Sequence, residues 1–172
     1  MGDERRVVVI TGAAGGIGLG IGRAFASSGA SVVLSDIDQS RLDSAVASMR
    51  DRGSSVLGVR CDVRSADSVL ALRDAMLDRF GTVDVVCLNA GSVTPRATLE
   101  VTSRDWEAGL AANLFGVVHI ASGTHSACGF WQTGTDAHAV GPIGPAADVG
   151  GADTGNVDRP ASRRGPPAPP SP

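Results

Sequence analysis

From Arg5 to about Ala121 the chain alternates short, unbroken apolar runs with longer stretches whose apolar positions recur every three or four residues. That alternation predicts βαβ units feeding a parallel sheet. Val7-Val-Val-Ile10 is a continuous β-branched run ending at Thr11-Gly12, as expected for a strand covered on both faces. A second strand is predicted over Ser31 to Ser35, a third over Ser55 to Arg60 and a fourth over Val83 to Leu88. Helical spacing is carried by Ile17, Ile21 and Phe25, then by Leu42, Val46 and Met49, then by Val69, Leu72, Met76 and Phe80. Gly29, Gly53 and Gly81 follow these stretches, where a left-handed residue terminates a helix. A further helix is predicted to start near Thr102, whose hydroxyl and the Asp105 carboxylate can satisfy free amides reciprocally. Its apolar side carries Trp106, Leu110, Leu114, Val117 and Val118.

Beyond Ala121 neither period is present. No Leu occurs after Leu114 and no Glu after Glu107, while eight of the nine prolines fall in this stretch. So much Gly, Ala and Pro cannot bury enough apolar surface to offset chain ordering. The division predicted is therefore a folded domain over 1–121 and a disordered tail over 122–172. The abruptness of the change suggests truncation or a frameshift near residue 121, which translation of the downstream DNA in the other two frames would test.

Composition narrows the chemistry. A hydrophobic content of 42% in 172 residues is enough for a core, and a net charge of −3 leaves no basic footprint for nucleic acid or for a membrane surface. Cys61, Cys87 and Cys128 lack ligand spacing and read as small hydrophobes rather than as redox or metal groups. No signal-like or membrane-spanning stretch is legible, so a cytoplasmic setting is expected. Tyr is absent, and all fifteen basic residues are Arg, so Lys is absent too.

The sharpest motif is Thr11-Gly-Ala-Ala-Gly-Gly-Ile-Gly18, placed between the first strand and the first helix. There a glycine-rich loop can lay backbone amides against a diphosphate: Gly12 for the turn, Gly16 for close backbone approach, Gly18 for helix-to-sheet packing. Asp36 ends the second strand, at about the spacing expected of a carboxylate that accepts from an adenosine ribose. Its charge would repel a 2′-phosphate, and no Arg interrupts the loop or immediately follows Asp36, so NAD is expected over NADP. A solvated acid at a strand end is the plainer reading of Asp36.

That loop, Asp62-Val63 after the third strand, Asn89-Ala90-Gly91 after the fourth, and Asn113 in the helix from Thr102 occur in one order. In that order the chain resembles the short-chain dehydrogenases/reductases from Arg5 to about Ala121. The resemblance implies an α/β fold: a Rossmann-type doubly wound parallel sheet, here incomplete, with strand order 3-2-1-4. Thr11, Gly12, Gly16, Ile17, Gly18 and Asp36 would then bind NAD, with Asp62 on the adenine, Val63 packed against it, and Asn89, Ala90 and Gly91 beside the cofactor. Asn113 would assist a proton relay. Asp62 also reads as a turn residue and Asn113 as an ordinary polar helix position.

The same resemblance calls for a later catalytic Ser and a Tyr-x-x-x-Lys helix, and neither Tyr nor Lys exists here. The expected chain is an NAD(H)-dependent oxidoreductase by descent, acting on small alcohols or carbonyls in intact relatives but catalytically incompetent itself. A non-catalytic NAD-binding or interaction module, or an unstable gene product, are the alternatives. The fourth strand, bare of charge except for Asp84, is an edge that invites self-association.

Overall fold

The computed structural model describes residues 5–124, apart from the side chain of Thr98. Four strands, β1 (Val7–Thr11), β2 (Ser31–Asp36), β3 (Val56–Arg60) and β4 (Val85–Cys87), form one parallel sheet in the order β3-β2-β1-β4. Helices α1 (Gly16–Ser27), α2 (Gln39–Arg50) and α3 (Ala66–Phe80) make the crossovers. After a 3-10 turn at Thr98–Glu100, α4 (Ser103–Leu110) and α5 (Gly116–Thr124) are joined by a π-helical segment, Ala111–Phe115.

Every residue of β1 is buried, and successive side chains point to opposite faces of a strand. One face sends Val8, Ile10, Val32 and Leu34 against Leu42, Val46 and Met49 of α2, with Ile21 and Phe25 of α1 alongside. The other sends Val7, Val9 and Val33 against Val69, Leu72 and Met76 of α3 and Ile120 of α5. This two-sided cover is why the strands read as unbroken apolar runs. Burial of each such side chain contributes about 1.5–3 kcal/mol.

Gly29, Gly53 and Gly81 have positive φ, as the helix-ending reading requires. Thr102 and Asp105 form the expected reciprocal cap: the Asp105 amide donates to the Thr102 hydroxyl and the Thr102 amide to the Asp105 carboxylate.

Four local expectations change. Ile17, grouped with the apolar face of α1, is 41% exposed; the helix approaches the sheet through Gly18 and Gly22 instead. A Cβ at Gly22 would stand 2.8 Å from Leu34, so the absent side chain brings the helix close. The fourth strand is shorter than Val83 to Leu88: regular pairing with β1 spans Val85–Cys87, and just before it Asp84 meets Val7 twice, its amide donating to the Val7 carbonyl at 2.9 Å and its carboxylate accepting from the Val7 amide at 2.7 Å. The single helix from Thr102 is interrupted by the wide turn at Ala111–Phe115, and its side bearing Trp106, Leu110, Leu114 and Val118 is exposed. Finally, α5 continues through Thr124, three residues past the boundary at 121, packing on α3 where Gly123 meets Val69. The remainder of the tail, 125–172, with Cys128, His125 and His138, lies outside the described residues.

Candidate functional site

In the order β3-β2-β1-β4 the chain winds outward in one direction from β1 to β3, then crosses back to place β4 on β1's other side. The loops after β1 and β4 therefore diverge, and a crevice opens at the strands' C-terminal ends. Here the structure has a cleft of about 610 Å³ lined by the glycine loop, the ends of β2 and β3, and the segment after β4.

The glycine loop is held from both sides. Ala13 donates its amide to the Ser35 carbonyl at 2.9 Å, and Ala14 donates its amide to Asp36 Oδ2 at 2.9 Å, tying the loop to the end of β2. Asp36 Oδ1 accepts from the Asp38 amide at 3.1 Å, so the carboxylate is oriented before any ligand arrives. On the β4 side, Asn89 Nδ2 donates to the Thr11 and Gly12 carbonyls at 2.9 and 3.0 Å. Thr11 Oγ1 in turn accepts from the Asn89 and Ala90 amides at 3.1 and 3.0 Å.

Two glycines are dictated by this geometry. Gly12 has φ +64, and a Cβ there would lie 2.8 Å from Ala90 Cα. Gly16 has φ +54 and nothing within 4 Å of where its Cβ would be. Its backbone is bare toward the cleft, at the first turn of α1, where helix amides lack intrahelical partners. That is a fit for an anion: a cradle that a side chain would fill stands open at a positive helix end.

Gly12, Gly16, Ile17, Asp36, Asp62, Val63, Asn89, Ala90 and Gly91 all line the cleft. Three other residues singled out in the sequence do not. Thr11 is buried and works as a clasp between β1 and the segment after β4. Gly18 is buried beneath the loop, where a Cβ would collide with the Gly12 carbonyl and stand 2.6 Å from Asn89 Nδ2. Asn113 sits in the π-helical segment and clamps Ser92 at two points, accepting from its amide at 2.7 Å and donating to its carbonyl at 3.0 Å. Widened turns of this kind are frequent at functional sites in helices; here the turn presents Asn113 to the loop that leaves β4.

Sequence reading missed two cleft arginines. Arg64 grips Asp62 with Nε and Nη2, at 2.9 and 2.7 Å, and the carboxyl is held below its ordinary value by these hydrogen bonds. The i, i+2 spacing of Asp62 and Arg64 was the available signal. Arg41, from the first turn of α2, reaches the glycine loop at Gly15. No Arg interrupts the loop or immediately follows Asp36 along the chain, yet α2 brings the Arg41 side chain to it in space. Cys61 and Cys87 are kept as thiols by burial, which raises both above the usual thiol range. Among the described residues no helix is long and apolar enough to cross a membrane.

Comparison with known proteins bears on the same residues. The family model for short chain dehydrogenases matches residues 6–127. A cis-4-hydroxycyclohexanecarboxylate dehydrogenase of Sinomonas cyclohexanicum is 43% identical over 113 residues, covering 65% of this chain and 45% of that one. A short-chain dehydrogenase/reductase from Burkholderia phymatum, solved in complex with NAD, superposes with a TM-score of 0.69 at 35% identity, over 74% of this chain and 46% of that one. An alcohol dehydrogenase from Thermococcus sibiricus, solved with 5-hydroxy-NADP, gives 0.67 at 33% identity, over 72% and 53%. The chain spans between 34% and 45% of the length of the first three curated relatives it matches.

Proposed function

The chain belongs to the short-chain dehydrogenase family, and from that premise we propose that its cleft holds the adenosine half of a nicotinamide dinucleotide, NAD in preference to NADP, without these 172 residues turning over an alcohol themselves. The observation that carries this reading is the pairing of an unobstructed Gly16 backbone with an Asp36 carboxylate tied to the same loop. Gly12, Gly16 and Ile17 would meet the diphosphate, and Asp36 would accept from the ribose hydroxyls. Val63 would pack on the adenine, and Asp62 would hold it through lone pairs that Arg64 leaves open. Asn89 and Ala90 brace the loop through Thr11 and Gly12, Gly91 would lie beside the cofactor, and Thr11 and Gly18 set the loop's height over the sheet. The relatives solved with NAD and with 5-hydroxy-NADP support a nicotinamide dinucleotide in this cleft, and the Asp36 carboxylate supports the unphosphorylated form.

Bound NAD would supply a hydride acceptor for alcohol oxidation. The family's acid/base tyrosine and its lysine have no counterpart in this sequence, which contains neither residue type. Loss of a positioned acid/base slows such chemistry by about 10² to 10⁴. Asn113 pairs with Ser92.

Calorimetric titration with NAD tests the reading. Binding should be weakened roughly tenfold or more in Asp36→Ala, which removes charge-assisted hydrogen bonds to the ribose. No heat at millimolar NAD would end the dinucleotide assignment, and measurable alcohol-dependent NAD reduction would end the denial of turnover.

Self-association is a second reading, favoured by one observation. Trp106, Leu110, Leu114, Phe115 and Val118 are each between 44% and 61% exposed along one continuous helical stretch. An apolar surface of that kind marks a contact site. Sedimentation should show a dimer or higher species that Leu114→Glu converts to monomer; a monomeric parent chain would refute it.

A further inference from the structure

Asp62, Val63 and Arg64 wall one end of the cleft. From one side α3 holds this turn: the Asp62 amide donates to Ser68 Oγ at 3.0 Å, and the Asp62 carbonyl accepts from the Ser65 amide at 3.0 Å. From the other side the holder is α5, where His119 Nδ1 lies 3.0 Å from the Val63 carbonyl oxygen. A carbonyl can only accept, so Nδ1 carries the hydrogen and donates it. Among the described residues no other donor reaches that oxygen.

The same peptide has a second partner. Its other end is the Arg64 amide, which donates to Asp62 Oδ1 at 3.0 Å. A peptide unit is planar and turns as one body, so the group that fixes the Val63 carbonyl also aims the amide that orients the Asp62 carboxylate. The approach of α5 is close: a Cβ at Gly116, three residues before His119, would stand 2.7 Å from Val63 Cγ2. A leucine at 119 would supply apolar cover as well as a half-buried histidine does; the hydrogen bond is what the imidazole adds. Without it the Val63 carbonyl has no protein donor, and such a group turns toward water.

We propose that His119 is a positioning residue for the adenine of the dinucleotide: through the peptide between Val63 and Arg64 it sets the Asp62 carboxylate that accepts from the adenine amino group. This rests on the dinucleotide reading of the cleft. Asp36 and the glycine loop are held by other bonds, from Ala14, Asp38 and Asn89. The ribose and diphosphate contacts therefore do not pass through this peptide, and the effect of His119 is confined to the base.

The experiment is calorimetric titration of the full chain with NAD and with nicotinamide hypoxanthine dinucleotide, which carries a carbonyl where adenine has its amino group. The chains are the parent, His119→Leu and His119→Asn. Asn places an amide N–H where Nδ1 stands; Leu fills the space without a donor. The parent should bind NAD the more tightly. His119→Leu should weaken NAD about fivefold or more while leaving the hypoxanthine dinucleotide within about twofold, and His119→Asn should restore most of the NAD affinity. Where circular dichroism shows that His119→Leu does not fold, His119→Gln, whose donor lies one bond further from the backbone, takes its place and should show the same selective loss. Equal weakening of both dinucleotides, or of neither, overturns the assignment of His119. A parent that binds the two equally overturns it too while sparing the dinucleotide reading, whereas a parent that binds neither refutes that reading and this inference together.

Discussion

Two glycines two residues apart in α1 predict opposite responses to the same substitution. Gly20 is exposed, its Cβ position is open to 4 Å, and it lies within the helix. Gly20→Ala should therefore stabilise the protein by about 0.5–1 kcal/mol, the gain in helix propensity. Gly18→Ala has the same propensity gain, but its methyl would collide with the Gly12 carbonyl, stand 2.6 Å from Asn89 Nδ2 and stand 3.0 Å from Ala13 Cα. Two of these three neighbours are backbone, and the third is a side chain held by two hydrogen bonds. Reaching ordinary contact at 3.4 Å means moving the Asn89 amide by about 0.8 Å. Overpacking costs about 1–3 kcal/mol and each disturbed hydrogen bond about 1 kcal/mol, which outweighs a gain of about 1 kcal/mol. The net expectation is a loss of about 2–4 kcal/mol, a fall in Tm of about 8 °C or more. Urea unfolding followed by circular dichroism measures both variants against the parent. If Gly18→Ala proves as stable as Gly20→Ala, the loop does not close on Asn89 as described.

Asn89→Ala should lower stability by about 2 kcal/mol, since it strips two carbonyls of their donor, and Asn89→Asp should be worse because it turns a donor into an acceptor facing the same oxygens; thermal melts of both will show whether the order holds. The Asp62 carboxyl, held below 3.8 first by its hydrogen bonds to Arg64, contributes a stability that is complete above that ordinary value and drains away as pH falls through the lower folded one. Arg64→Ala should move the Asp62 titration upward, read by carbon-detected NMR, and flatten that part of the acid limb; an unmoved titration would exclude the pair. Thr102→Ala should cost about 1 kcal/mol through loss of the helix cap, measured by denaturation.

The sequence by itself determined the four parallel strands, the crossover helices between them, their order, and the placing of the glycine loop between β1 and α1. Unbroken runs such as Val7 to Ile10 need two-sided cover, apolar residues at helical spacing supply it, and parallel connection leaves one end of the sheet for the loop. Those are local constraints, read from neighbours along the chain. Tertiary structure decided what those neighbours could not. Thr11 and Gly18 turned inward because the segment after β4 folds back onto them, a contact between residues far apart in sequence. Asn113 was matched to Ser92, and the helix around it widened, because the loop leaving β4 lies there. Arg41 came over Gly15 because α2 packs beside β2, and no spacing rule reports that a side chain from the next crossover will fill the gap a glycine leaves. Periodicity encodes which face a residue takes; only packing fixes which distant group it meets there, and the charge balance at a binding cleft depends on the second.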